Sequence, residues 1–147
     1  MGLGRNLRRA RDLKFQAWAD LATAVAELAV ARVRLAVQGA EQIIGSDAGS
    51  GRPRSAGECD HDQAIDRVAF AIPRMGARVP WHATCLVQAI AARNWLSRKG
   101  VRSSIRLGAR KHEGEAIDAH AWLEAEGRLV VGGEVTGYTP FTPSRPD

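Results

Sequence analysis

Cysteine is scarce in this chain: Cys59 and Cys85 are the only two among 147 residues. Two thiols in a chain of this length do not make the disulfide framework of a small secreted domain, so apolar packing has to hold the core. Long charge-free apolar runs are missing as well. A bilayer-spanning helix needs about 18 such residues. The nearest approach, residues 21–31, is interrupted by Glu27, and no signal-peptide cleavage pattern follows it. Nor is there a large excess of one charge. A net charge of +5 and a pI near 10.0 permit acidic partners but do not call for nucleic acid. These absences lead to the expectation of a soluble, cytoplasmic protein. What remains is ordinary for a globular chain: 45% apolar and 25% charged residues, enough for one core.

Residues 5–44 read as one long or once-broken helix. Asp12, Gln16, Asp20, Thr23, Glu27, Arg34, Gln38 and Glu41 recur at spacings of three, four or seven, which aligns them as a polar stripe. The rest of the circumference is apolar, including Phe15, Trp18, Leu28, Val33 and Val37, and is wide enough to need a core or a partner. Arg5, Arg8, Arg9, Arg11 and Lys14 make the first stretch basic. The expectation is a packed helix whose polar stripe is solvated; a docking surface for another protein or for anionic lipid is the alternative. Residues 46–58, rich in Gly, Ser and Pro, read as a flexible linker. The chain thus divides into a helical segment at 1–45, the linker at 46–58 and a compact domain at 59–147.

Within that domain the pattern of residues 60–72 is helical, with Asp60 or Asp62 to cap it and Pro73 to stop it. A second helix spans about 84–99 and ends in Arg98, Lys99 and Gly100, the last-turn cations and following glycine of a helix end. The period then changes to two. Strands are expected at 103–110, 116–125 and 128–135, with Glu126-Gly127 turning the second into the third. The tail from Tyr138 to Asp147 is expected to lie across the sheet edge. Helices followed by antiparallel strands make an α+β fold.

Cys85 falls in the first turn of the second of these helices, after the loop Pro80-Trp81-His82-Ala83-Thr84. Unpaired N–H groups and the helix dipole there favour a thiolate and can hold an oxyanion. The plain alternative is an inert core cysteine. A thiol so placed needs a base from elsewhere, and His120 is the candidate. Alternation puts Asp118, His120, Trp122 and Glu124 on one face of the strand, and Ala119, Ala121 and Leu123 on the other. Trp122 is placed to shield the imidazole from water. Trp81, His82 and Trp122 are candidates for lining a substrate cleft, and His112 reads as solvated. Cys59, His61, His82 and Cys85 together offer two thiols and two imidazoles, but their spacing has no strong zinc precedent. The preferred reading has no metal.

A thiol at a helix start, a histidine on a strand and an acid on the next strand form the order of papain-like and transglutaminase-like enzymes. One family agrees more closely. Pro80-Trp81 with Thr84-Cys85-Leu86, Ala119-His120-Ala121-Trp122, and a hydrophobic strand ending in Gly132-Gly133 resemble the lasso-peptide leader peptidases, over roughly residues 64–141. The resemblance implies a transglutaminase-like core of a central helix on a small antiparallel sheet, with Cys85 as nucleophile and His120 as base. It implies removal of the leader from a precursor peptide, freeing an amino terminus for a macrolactam-forming cyclase. It further implies a leader-binding recognition-element protein as partner and no cofactor.

The third catalytic member is where this chain departs from that family. Many members carry an acid twelve residues after the histidine, where this chain has Gly132. Glu134 is the nearest downstream acid. A three-residue hairpin loop would set it opposite His120; a two-residue loop would pair Gly133 with His120 and turn Glu134 away. Asp118, a backbone carbonyl or a water are the other candidates. Two rival functions stay open: a non-catalytic peptide- or protein-binding module, and an acyl-transferring enzyme of the transglutaminase kind.

Overall fold

The computed structural model describes residues 3–45, 58–111 and 117–140. Of the linker assigned to 46–58, residues 46–57 lie outside the described residues, as do the turn carrying His112 and the tail beyond 140, while Glu58 belongs to the first helix of the domain. The elements are α1 (Leu3–Gly45), α2 (Glu58–Gly76), α3 (Cys85–Arg98), β1 (Ser103–Arg110), β2 (Asp118–Ala125), β3 (Arg128–Val131) and β4 (Thr139–Pro140). The strands form one antiparallel sheet in the order β3-β2-β1-β4. The described start of the tail meets the sheet edge, where Thr139 and Pro140 add a short fourth strand by pairing with Ala109 and Gly108. The α+β expectation holds.

Helix α3 lies at the centre, against α1 and α2 on one side and β1, β2 and β3 on the other. Its apolar residues point in several directions because it has neighbours all round: Val87, Ile90, Ala91, Trp95 and Leu96 are all buried. Thr84 caps its start by accepting from the Val87 N–H at 3.4 Å. Its end closes as Val101 N–H donates to the Leu96 carbonyl at 3.0 Å, with Gly100 at φ +77°. Helix α1 is broken once, at Gly39, whose φ of +74° is outside the helical region.

Pro73 does not stop α2, which continues to Gly76. A proline removes one ladder donor, but the bonding resumes beyond it. Ala77 N–H donates to the Pro73 carbonyl at 3.2 Å and Val79 N–H to that of Met75 at 3.0 Å. Met75 packs on the core, which favours one more turn.

Part of the polar stripe of α1 is turned inward, while Gln16, Arg34 and Gln38 stay exposed as expected. Asp20 and Glu27 are 6% and 5% exposed, on the same side as the fully buried Ala24, Leu28 and Ala31. Each has a cationic partner from the packed layer. Arg67 of α2 grips Asp20 bidentately, with Nε 3.1 and 2.9 Å from the two carboxylate oxygens, and Arg98 of α3 pairs with Glu27. The Asp20 hydrogen bond raises the Arg67 pKa above its ordinary value, against a smaller opposing effect of burial. Truncating one partner of such a pair strands a charge away from water. Arg67→Ala is expected to destabilise the fold by about 3 kcal/mol, read as a lower urea midpoint. The Asp20→Leu/Arg67→Met double variant should recover most of that loss.

Candidate active site

Cys85 is the first residue of α3, and half-buried. The first ladder bond behind it is Gln88 N–H to the Thr84 carbonyl at 3.0 Å, so the Cys85 and Leu86 N–H groups precede the intrahelical bonding and point out of the helix start. The Gln88 side chain turns back to the Ala83 carbonyl at 2.9 Å, tying the entering loop to the helix. Cys85 opens onto a cleft of about 410 Å³ that His120 also lines, together with Pro73, Gln88, the end of β3 from Leu129 to Val131, and the following Gly132 and Gly133. Two residues far apart in sequence thus share one wall-to-wall space.

His120 is held from three sides. Its Nε2 lies 2.5 Å from the Gly132 carbonyl oxygen, and the Tyr138 ring tilts against it at 5.0 Å between centroids. The Trp122 ring stacks beside it at 6.2 Å. A carbonyl can only accept, so Nε2 carries a proton, and in the neutral ring Nδ1 holds the lone pair. The position twelve residues after the histidine is therefore occupied by a main-chain acceptor.

The path of β3 explains this placement. Glu126 and Gly127, with φ of 50° and 74°, form the two-residue turn that hairpins favour, pairing Ala125 with Arg128. A bulge then shifts the register, so that Leu123 pairs with Val131 and Val130 is the extra residue. Neither simple loop length foresaw this mixture. The strand ends at Val131 rather than at 135. Gly132, at φ +127°, turns the backbone so that its carbonyl meets the imidazole. Only glycine fits: a Cβ at Gly132 would collide with Cβ of Trp122 and come within 2.9 Å of its Cα. Glu134 is exposed and does not line the cleft.

Asp118, the other acid considered for the histidine, is engaged elsewhere. It accepts from the Tyr138 hydroxyl at 2.5 Å and from Arg110 Nη2 at 3.2 Å, and the Arg110 guanidinium lies 4.6 Å over the Tyr138 ring. The Tyr138 hydrogen bond is the main cause holding the Asp118 carboxyl below the usual carboxylate range, with Arg110 adding to it. The same bond pushes the Tyr138 phenol up. Arg110 and Tyr138 were not singled out from the sequence. Arg110 pairs with Asp118 across β1 and β2, a signal visible once the register is known, whereas nothing local marks Tyr138.

Of the residues suggested as cleft walls, Trp122 is 3% exposed. Its indole donates to Glu124 Oε1 at 3.0 Å, and its ring covers Gly108, where a Cβ would come within 2.8 Å of it. It backs His120 rather than lining the cleft. Trp81 is partly buried against the core, with its indole N–H buried and unpartnered among the described residues, and His82 is exposed. His61 pairs with Glu126 at 2.8 Å. The Cys59 side chain lies outside the described residues, and among those described no group of three His, Cys, Asp or Glu side chains converges as metal ligands would.

No curated protein and no solved structure matches the chain. The family model described as the Transglutaminase-like superfamily matches residues 26–145, from the middle of α1 through every later element. Members of that superfamily are commonly cysteine peptidases or transglutaminases. With most of its length matched, and a helix-start cysteine and a strand histidine on one cleft, this chain belongs to the transglutaminase-like superfamily.

Proposed function

We propose that this protein is a cysteine peptidase that removes the leader from a lasso-peptide precursor. The observation that carries the reading is the polarity of His120. With Nε2 committed to the Gly132 carbonyl, the basic Nδ1 is left for the Cys85 thiol across the cleft. The motifs around Thr84-Cys85-Leu86 and Ala119-His120-Ala121-Trp122 support the leader peptidase within the wider superfamily.

Nδ1 takes the thiol proton, and sulfur attacks the scissile carbonyl carbon. The oxyanion is met by the Cys85 main-chain N–H. The imidazolium then gives its proton to the leaving amine as the C–N bond breaks, leaving a thioester on Cys85. Water, deprotonated by Nδ1, attacks the thioester and releases the leader carboxylate and the free thiol. The Gly132 carbonyl holds the ring in the productive orientation throughout and stabilises the imidazolium. Trp122 and Tyr138 limit the ring's swing. No cofactor enters any step. The precursor is presented by a leader-binding recognition-element protein, and the freed amino terminus passes to a macrolactam-forming cyclase.

The test is incubation of the purified chain with precursor and leader-binding protein, followed by mass spectrometry. Leader and core separated with addition of one water is the expected result. An amine-linked adduct in place of hydrolysis would assign an acyl transferase instead, and an intact precursor would leave a binding module. Glu134→Gln is expected to leave the cleavage rate unchanged; a clear loss would return Glu134 as the histidine's partner.

A further inference from the structure

The outer side of α1 carries a row of exposed apolar residues. Because Asp20 and Glu27 are drawn into the core, no acid among the described side chains of α1 is left on the opposite face. Phe15, Trp18, Val33 and Val37 are 78%, 74%, 62% and 78% exposed, and Val30 stands among them. Ala22 and Ala26 are exposed in the same row. Scattered exposed apolar residues are normal, whereas a continuous apolar row needs a reason.

The row has a definite period. Phe15, Trp18, Ala22 and Ala26, then Ala29, Val33 and Val37, step by 3-4-4 and again by 3-4-4. That is an eleven-residue repeat of about 3.67 residues per turn, close to the 3.6 of a straight helix. A stripe with that period drifts around the helix by only about 20° per repeat, in the sense opposite to that of a heptad seam. A left-handed coiled-coil seam needs about 3.5, with branched knobs at its repeating positions, and here the middle of the row is alanine. The stripe suits a flat surface better than a wrapping helix.

Its charge is one-sided. Between residues 14 and 40 the exposed charges are Lys14, Arg32 and Arg34, and the only acids, Asp20 and Glu27, are buried. In sequence, Arg5, Arg8, Arg9 and Arg11, with the single acid Asp12, precede the aromatic end of the row. A second copy of the chain would set these cations against themselves. An anionic surface complements them.

We infer that α1 lies along the surface of an anionic lipid bilayer, its outer apolar row buried in the headgroup region and its cations on lipid phosphates. An amphipathic helix with aromatic residues on the apolar side and Lys and Arg beside it binds in this way. None of the described helices is long and apolar enough to cross a membrane, so the contact is interfacial. Trp18 and Val33 lie outside the Cys85 cleft, so the inference stands apart from the peptidase reading.

The test is flotation of the full chain with phosphatidylglycerol–phosphatidylcholine vesicles and with phosphatidylcholine vesicles alone. The wild-type chain is expected to float with the anionic vesicles, at least about tenfold more weakly with the neutral ones or in high salt. Trp18→Glu/Val33→Glu should lose about tenfold or more of the anionic binding, with an unchanged circular-dichroism spectrum. Should that variant not fold, the difference in emission between wild type and Trp18→Phe supplies a second reading: a blue shift on anionic vesicles is expected. Absence of binding, equal binding to both vesicle types, equal binding by the folded double variant, or no blue shift from Trp18 would overturn the inference. So would capture of the row by a second copy or by a partner protein without lipid binding.

Discussion

Cys85→Ala and His120→Ala are each expected to reduce leader cleavage about 10⁴-fold or more, to near the uncatalysed rate. Without sulfur there is no thioester, and the two-step route collapses to direct attack by water. Without the imidazole, nothing in the cleft takes the thiol proton or returns one to the leaving amine. Because the two groups act in the same proton transfer, the double variant should be little worse than either single one. Both substitutions should leave the fold intact: alanine suits a first helical position, and His120 is only half-buried. Thermal unfolding and far-UV circular dichroism check that point. Cleavage retained by pure Cys85→Ala protein would end the peptidase reading. Iodoacetamide gives an independent check, since a thiolate reacts where a thiol does not. Selective alkylation of Cys85 over Cys59, abolished by His120→Ala, is the expected pattern.

Gly132→Ala is expected to combine a stability loss with a larger loss of turnover. The backbone there has φ of +127°, and an added Cβ would run into Trp122. Relief requires the chain to move, and the carbonyl that holds His120 Nε2 moves with it. The strain should cost about 1–3 kcal/mol. Removing the acceptor that fixes tautomer and orientation should lower kcat by about 100-fold or more, with KM little changed. A control separates the two effects. Gly127 also has positive φ, but nothing lies within 4 Å of a Cβ there. Gly127→Ala should therefore cost about 1 kcal/mol and leave kcat as it was. Equal kcat loss in both variants would make Gly132 a purely structural glycine.

These two experiments probe parts of the molecule that were unequally legible. Cys85 could be singled out because caps, helix periodicity and a preceding proline are local signals, and Thr84 indeed caps α3. His120 was found from strand alternation together with family resemblance. The partner of His120 could not be read, because it depends on a bulge at Val130 and a carbonyl direction at Gly132. A main-chain oxygen has no residue type to betray it. Tyr138 was missed for a related reason: it reaches the histidine only because the chain folds back to pair β4 with β1.

What the amino-acid sequence determined by itself was the order of the main elements and the α+β class, which follow from periodicity and capping within short windows, and the two side chains of the proposed dyad, which follow from those signals together with the family resemblance. Tertiary packing alone decided which side of α1 faces the core. Arg67 and Arg98, far along the chain, supply the charges that allow Asp20 and Glu27 to be buried, and no local pattern reveals a partner of that kind. Packing likewise decided that the position of the missing acid is filled by a carbonyl, because register and bulge are set by which valines the core accepts.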